Sequence, residues 1–309
     1  MITTTSASTE ASLSSAEGHE RASLLGLPVE ELAELAVTAS ESYSVYPLIK
    51  GSKKRWIEAP SPQLKRIQRR LLVELLYQLQ PTDSAHGFVP GRSIVTNAQR
   101  HVGRDWLVTL DLKDFFPSVK AAMIEPELAG LMPSRVQREQ LVQLVTRRGR
   151  LPQGAPTSPH LANLVARRLD QRLVELSERL GWTYTRYADD LSFSGDTDPG
   201  ELLPRVEAIV LDEQFRLARQ KTRVRSRHQR QVVTGLVVND RVRLPKPQRR
   251  RLRAMLHRAR YDPDLCWDEM ATQVMAGHLA FAAFVDPTAH QQSCLQLRQL
   301  VQSRVQSQR

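Results

Sequence analysis

The sequence predicts an α+β protein, a small antiparallel sheet packed on helices and followed by an all-helical tail. Three observations predict it. Short apolar or β-branched runs come in pairs around turn residues, at 45–59 and again at 183–194. Between these pairs lie long stretches whose apolar residues recur at a 3.6 period. From Gln248 onward only the helical period remains.

Taken in order, residues 1–27 are polar and of low complexity, and are expected to form a disordered tail. A helix should open at Pro28, with Leu32, Leu35 and Ala36 on one side. Val45–Lys50 and Arg55–Ala59 read as strands around Gly51-Ser52-Lys53-Lys54. Leu64, Ile67, Leu71, Leu75 and Leu79 mark one long amphipathic helix. After a Gly/Pro loop, Ile94–Val102 reads as helix and Trp106–Leu112 as a buried strand ending in acid. Another helix spans Arg135–Thr146. The loop LPQGAPTSP at 151–159 leads into a helix aligned on Leu161, Leu164, Leu173, Leu176 and Leu180. Thr183–Tyr187 and Leu191–Ser194 form a hairpin whose turn holds Ala188, Asp189 and Asp190. A helix near 201–215 precedes two strands, Val232–Val238 and Arg241–Leu244, joined at Asn239-Asp240. Three helical segments, broken near Pro263 and Pro287, complete the chain.

Charge narrows the function. Lys and Arg number 44 against 33 acids, a net charge of +11, which favours a polyanionic partner. The excess is local. Gln214 to Arg260 carries sixteen Lys or Arg and one acid, Asp240, whereas Met1 to Glu41 has seven Glu and a single Arg. Cys266 and Cys294 are isolated, which excludes a disulfide framework or a cysteine zinc site. No apolar run reaches the roughly 18 residues of a membrane span. The N-terminus lacks a secretory pattern, so a cytoplasmic protein without membrane contact is expected.

The chemistry lies in the carboxylates. Asp111 ends the apolar run LVTLD, and Asp189 and Asp190 share a tight turn. Adjacent acids in a turn can simply be exposed turn residues. They can also hold divalent cations, which prefer carboxylate oxygens and substrate phosphates. In pairs about 4 Å apart such ions serve phosphoryl transfer.

LDLKDFF, LPQGAPTSP, YADD and then Lys221-Thr222 occur in that order, and together they resemble the palm of reverse transcriptases. The resemblance runs from about Tyr46 to the helical tail and implies a right-hand polymerase of fingers, palm and thumb. It divides the chain into fingers with the N-terminal helix (28–104), palm (105–244) and thumb (245–309). It implies that Asp111, Asp189 and Asp190 hold two Mg²⁺ ions, and that Phe116 is the steric gate against a ribose 2′-hydroxyl. Gln153 and Gly154 would contact template and incoming dNTP, and Lys221 would lie near the triphosphate. The family usually has Asn three residues before that lysine, where this chain has Ala218. GSKKRWIEAP resembles the fingers hairpin of bacterial enzymes, making Arg55 and Lys65 candidates for the triphosphate, although any surface pair of basic residues looks similar. Leu252, Met255, Leu256 and Ala259 form an inward stripe, and Arg249, Arg250 and Arg253 cover much of the rest of that helix. They are a solvated basic face or, in a thumb, contacts to the template–primer backbone.

Two further segments resemble retron reverse transcriptases, which make a branched, RNA-linked DNA (msDNA). One is NAxxH, with Asn97, Ala98 and His101. The other is Val233-Thr234-Gly235, an element those enzymes use in recognising their own RNA. Taken alone, Asn97 and His101 could bond to each other across one helix face, and the second element could be a strand with a glycine bulge. The resemblance implies reverse transcription of part of a cognate structured non-coding RNA, in antiviral defence against phage. Its partners would be that RNA, its RNA–DNA product, dNTPs, a separate effector or toxin, and a host ribonuclease H, since no such domain is expected after the thumb. A group II intron-like or abortive-infection reverse transcriptase is the nearer alternative, and a catalytically inactive RNA-binding scaffold the more distant one.

Overall fold

The structure, a computed structural model, describes residues 29–51, 53–261, 269–292, 295–296 and 299. The expected polar tail, the helix start at Pro28 and both cysteines lie outside these residues. Helix α1 (Val29–Thr38) packs Leu32, Leu35 and Ala36 onto the core as its period requires. Strands β1 (Tyr43–Lys50) and β2 (Lys53–Pro60) pair antiparallel over their full length. Both outrun the expected strands, because an exposed hairpin has little in-and-out pattern to mark its ends.

Helix α2 (Pro62–Arg70) begins at Ser61, whose hydroxyl accepts from the Leu64 N–H, with Pro62 in the first turn. It continues through a π-helical stretch, Leu71–Leu75, and a tighter turn, Leu76–Gln78, so the expected long helix is not uniformly α. Helix α3 (Ile94–Gln99) is capped reciprocally by Ser93 and Thr96. Strand β3 (Trp106–Asp111) follows, then the short helices α4 (Phe115–Ser118) and α5 (Ala121–Ile124) and the longer α6 (Arg135–Val145). The helix expected after the LPQGAPTSP loop is two, α7 (Ser158–Val165) and α8 (Arg167–Leu180), separated at Ala166.

The hairpin β4 (Thr183–Tyr187) and β5 (Asp190–Gly195) joins β3 in a four-stranded antiparallel sheet. After α9 (Leu202–Asp212), the edge strand β6 (Arg223–Ser226) completes it in the order β4-β5-β3-β6. The sequence pattern had not marked β6, which alternates arginines with half-buried residues and reads as a charged loop.

The strands expected at 232–244 are corrected in part. The hairpin is β7 (Val232–Val233) and β8 (Leu236–Val237) with its turn at Thr234-Gly235, and the expected pairing across Asn239-Asp240 remains as a single antiparallel bridge between Val237 and Arg243. Both turn residues have positive φ (46° and 83°), the geometry that suits a two-residue hairpin. Asn239 instead folds its side chain inward, accepting from the Gln231 N–H and donating to the Arg227 and Gln229 carbonyls.

Two cores result. One face of the sheet, through Val108, Leu110, Leu191 and Phe193, packs on α7, α8 and α9. A second cluster joins Leu107, Ala98 and the β7–β8 hairpin to α10 (Lys246–Tyr261) and α11 (Glu269–Val285). Among the described residues no helix is long and apolar enough to cross a membrane.

Candidate active site

Strand register brings the acids together. Asp111 ends β3 directly opposite Asp190, the first residue of β5. Asp189 lies in the turn between β4 and β5, and its carbonyl accepts from the Leu112 N–H at 2.8 Å. Ala188 takes the left-handed backbone that closes this turn (φ 56°). On the other flank the chain at 216–218 runs beside Asp111: Ala218 N–H donates to the Asp111 carbonyl and Lys113 N–H to that of Arg216, both at 2.8 Å. This path delivers Lys221, whose Nζ lies 2.6 Å from each carboxylate oxygen of Asp111. Ala218 is buried and contributes through its backbone, so Lys221 reaches the acids without an asparagine side chain at that position.

The acids strain against one another. Withdrawal from water raises the Asp189 carboxyl, and Asp111 raises it further. Asp190 keeps one side open to solvent but is pushed up to about 6, by its partial withdrawal from water and then by Asp189 and Asp111. Lys221 and Arg55 pull both down. Among the described residues no three side chains form a finished metal cage; Lys221 already sits against Asp111 as a cation. Asp111, Asp189 and Asp190, gathered at the mouth of a cleft with the carboxyls of Asp189 and Asp190 raised, are nonetheless a donor set that suits a hard divalent ion.

Beneath the turn lies a buried polar network. Arg186 and Asp170 are both 0% exposed. Arg186 Nε and Nη2 donate to the two Asp170 oxygens at 2.8 and 2.6 Å, and Nη1 donates to Asn163 at 2.8 Å and to the Ala188 carbonyl at 3.2 Å. Tyr184 and Thr82 hydroxyls donate to the same carboxylate. The network therefore ties α7 and α8 to the backbone of the acidic turn. Sequence reasoning passed over both Arg186 and Asp170; the available signal was a charged residue inside the otherwise uncharged strand TYTRY.

Phe116, on α4, is half-buried and faces the rings of Phe115 and Phe88 at 5.6 and 6.2 Å between centroids. Gln153 and Gly154 are clamped to the fingers hairpin: Glu58 N–H donates to the Gln153 carbonyl at 2.9 Å, and Gly154 (φ 140°) passes so close that a Cβ there would lie 2.8 Å from the Glu58 carbonyl oxygen. Arg55, exposed on β2, lies within electrostatic reach of Asp189 and Asp190. Lys65 does not join them. It lines an outer groove of α2 with Arg66 and Arg69, a groove that shares no lining residue with the acidic cleft.

The nucleic-acid contacts expected of Asn97, His101 and Val233 are corrected, because all three are fully buried. The His101 ring bonds to Ser194 Oγ at 2.8 Å and Thr185 Oγ1 at 2.7 Å, fastening the end of α3 to the sheet. Asn97 does not bond to it. The turn, not the strand, is the accessible part of the hairpin: Thr234 Oγ1 donates to the Ile94 carbonyl, and Gly235 is exposed. Thr234 and Gly235 line a cavity of about 360 Å³ together with Asp190, Tyr187, Ser192 and Thr109. On α10, Leu252 and Ala259 are buried while Arg250 and Arg253 are exposed and Arg249 is half-buried, so the basic face is open and continuous.

Comparison with known proteins agrees with this geometry. Residues 49–245 match the reverse transcriptase (RNA-dependent DNA polymerase) family. The chain is 43% identical to the retron Mx65 reverse transcriptase of Myxococcus xanthus over 75% of its own length and 58% of that enzyme's. It is 38% identical to the Mx162 enzyme of the same organism (93% and 67%) and 31% identical to the Ec86 enzyme of Escherichia coli (88% and 85%). The fold matches telomerase from Candida albicans, solved with a fragment of telomeric RNA, at a TM-score of 0.50 and 8% identity, over 89% of this chain and 60% of that one. The sheet carrying the acids is thus the palm of a right-hand polymerase, and the chain belongs to the retron reverse transcriptases.

Proposed function

We propose that this chain is the RNA-directed DNA polymerase of a retron, copying part of a cognate structured RNA into single-stranded DNA joined to that RNA. The observation that carries the reading is the meeting of Asp111, Asp189 and Asp190 at one end of the palm sheet, with Lys221 against them. These three carboxylates would hold two Mg²⁺ ions, which supply activation of the attacking hydroxyl and neutralisation of the departing pyrophosphate. Lys221 would exchange Asp111 for the polyphosphate and, with Arg55, bind its negative charge. Phe116 would exclude the 2′-hydroxyl of a ribonucleotide by shape. The Thr234-Gly235 turn, which lines a cavity with Asp190, would hold the priming end of the RNA. The basic face of α10 would grip the duplex through phosphates, without reading its sequence. Fingers, palm and thumb would follow the division 28–104, 105–244 and 245–309. A role in phage defence beside a separate effector, with RNA removal by a host ribonuclease H, is the biological setting proposed for the product.

The test is expression of the chain with its own flanking RNA. Extracted DNA should shorten or shift after ribonuclease or 2′–5′ debranching treatment, and Asp111→Asn or Asp189→Asn should abolish it while the melting curve stays intact. DNA that runs identically before and after both treatments overturns the retron product. DNA synthesis by either Asn variant overturns the metal assignment.

A further inference from the structure

The sequence treats Phe88 as one letter of a Gly/Pro loop. The structure gives it an unusual position. Its backbone is left-handed (φ 61°), a conformation that bulky side chains rarely adopt and that glycine or asparagine takes without strain. Burial does not explain the ring, which is 49% exposed. Nor is the loop free to relax. Arg92 Nη1 donates to the Thr82 and Ala85 carbonyls at 2.6 Å each, and Asn163 Nδ2 donates to the Gly87 carbonyl at 2.8 Å. Gly87 itself is pressed on the acidic turn, since a Cβ there would lie 2.6 Å from the Ala188 nitrogen. The loop is therefore a rigid mount, and its neighbouring residue carries an aromatic ring where strain and exposure both disfavour one. Strain kept in this way points to a function for what it presents.

What the ring meets is the wall of the nucleotide site. Its centroid lies 6.2 Å from that of Phe116, tilted 57°, and 6.4 Å from that of Tyr187, tilted 40°. Phe116 also meets Phe115, at 5.6 Å between centroids, and Phe115 packs on Phe215 in the core. Phe116 thus meets one ring fixed by the core and one fixed by the loop. We propose that Phe88 is a positioning residue for sugar selection: it backs Phe116 against the acidic turn, so that the Phe116 ring cannot swing aside to admit a 2′-hydroxyl. The inference rests on the reading of Phe116 as the gate. A steric gate discriminates only as well as it resists displacement, and an unbacked half-buried ring turns between rotamers at little cost.

The backbone makes the test clean. Phe88→Gly and Phe88→Asn both suit φ 61°, so each should melt at or above the wild-type temperature while removing the ring. Single-nucleotide extension of a primer on an RNA template, with matched dNTP and rNTP, gives kcat/KM for each sugar. Both variants should lose about tenfold or more in the dNTP to rNTP ratio, the scale of one shape contact in a pocket. Phe88→Tyr should restore it. A wild-type chain that selects deoxynucleotides, with folded Phe88→Gly and Phe88→Asn selecting them equally well, overturns this inference and leaves the polymerase reading standing. Failure of Phe88→Tyr to restore a ratio lost in the other two overturns it as well. A wild-type chain that extends no primer overturns the polymerase reading, and this inference with it.

Discussion

Replacing Asp170 by alanine should destabilise the protein by about 3–5 kcal/mol, the usual effect of leaving one buried charge without its partner. The structure places this site at the upper end of that range. Arg186 and Asp170 are both 0% exposed, so no water can compensate. The substitution removes two charge-assisted bonds, at 2.8 and 2.6 Å, strands the Tyr184 hydroxyl that donates to the same carboxylate, and leaves the Thr82 hydroxyl with Ser84 alone. What remains for the guanidinium is Asn163 and one longer bond to the Ala188 carbonyl. Because that last bond holds the acidic turn, activity should fall further than stability alone would dictate. Equilibrium urea unfolding of wild type, Asp170→Ala, Arg186→Met and the double variant measures the effect. The double variant should be less destabilised than the sum of the two single ones, since it removes the orphaned charge. Strict additivity, or a loss below about 1 kcal/mol for Asp170→Ala, would refute the argument that the pair is coupled and dry.

Gly87→Ala should displace the Ala188 backbone, which a Cβ would approach to 2.6 Å, and cost about a hundredfold in kcat with a stability loss of about 1–3 kcal/mol; unchanged single-turnover rates would show that the turn absorbs the methyl. His101 is held neutral, its pKa lowered to about 3 by burial and then by His86 and nearby arginines. Folding therefore opposes its protonation: its contribution is complete above the unfolded value of 6.5 and is lost as pH falls toward 3, about 2 kcal/mol by pH 5. Unfolding curves at pH 7 and pH 5 should show this loss in wild type and a smaller one in His101→Gln, and equal losses in the two would place the titration elsewhere.

The sequence alone determined the class of fold, the family, and which three carboxylates meet at the end of the sheet. These depend on local signals: the apolar run that ends in acid at Trp106–Asp111, the helical periods, and motif residues whose chemistry leaves few substitutes. It also determined that α10 is two-faced, because a 3.6 period separates Leu252 and Ala259 from the arginines whatever they pack against. Only the tertiary structure decided how such residues are used. Asn97 and His101 read as RNA contacts from their place in a motif, yet both are buried and His101 fastens the end of α3 to the sheet, because burial is settled by what folds over a residue and not by its neighbours in the chain. Lys65 is near Arg55 in sequence and yet lines a different groove, since the hairpin and the following helix diverge. The arginine-rich edge β6 is a strand only because Leu107 and Thr109 offer it backbone partners. Phe88, Asp170 and Arg186 have no local signature strong enough to name them, since their importance comes from contacts with residues up to 99 positions away. Long-range contact, through which a backbone turn, a buried charge pair and an exposed ring come to share one wall, is information that pairs of distant segments hold jointly and that neither holds alone.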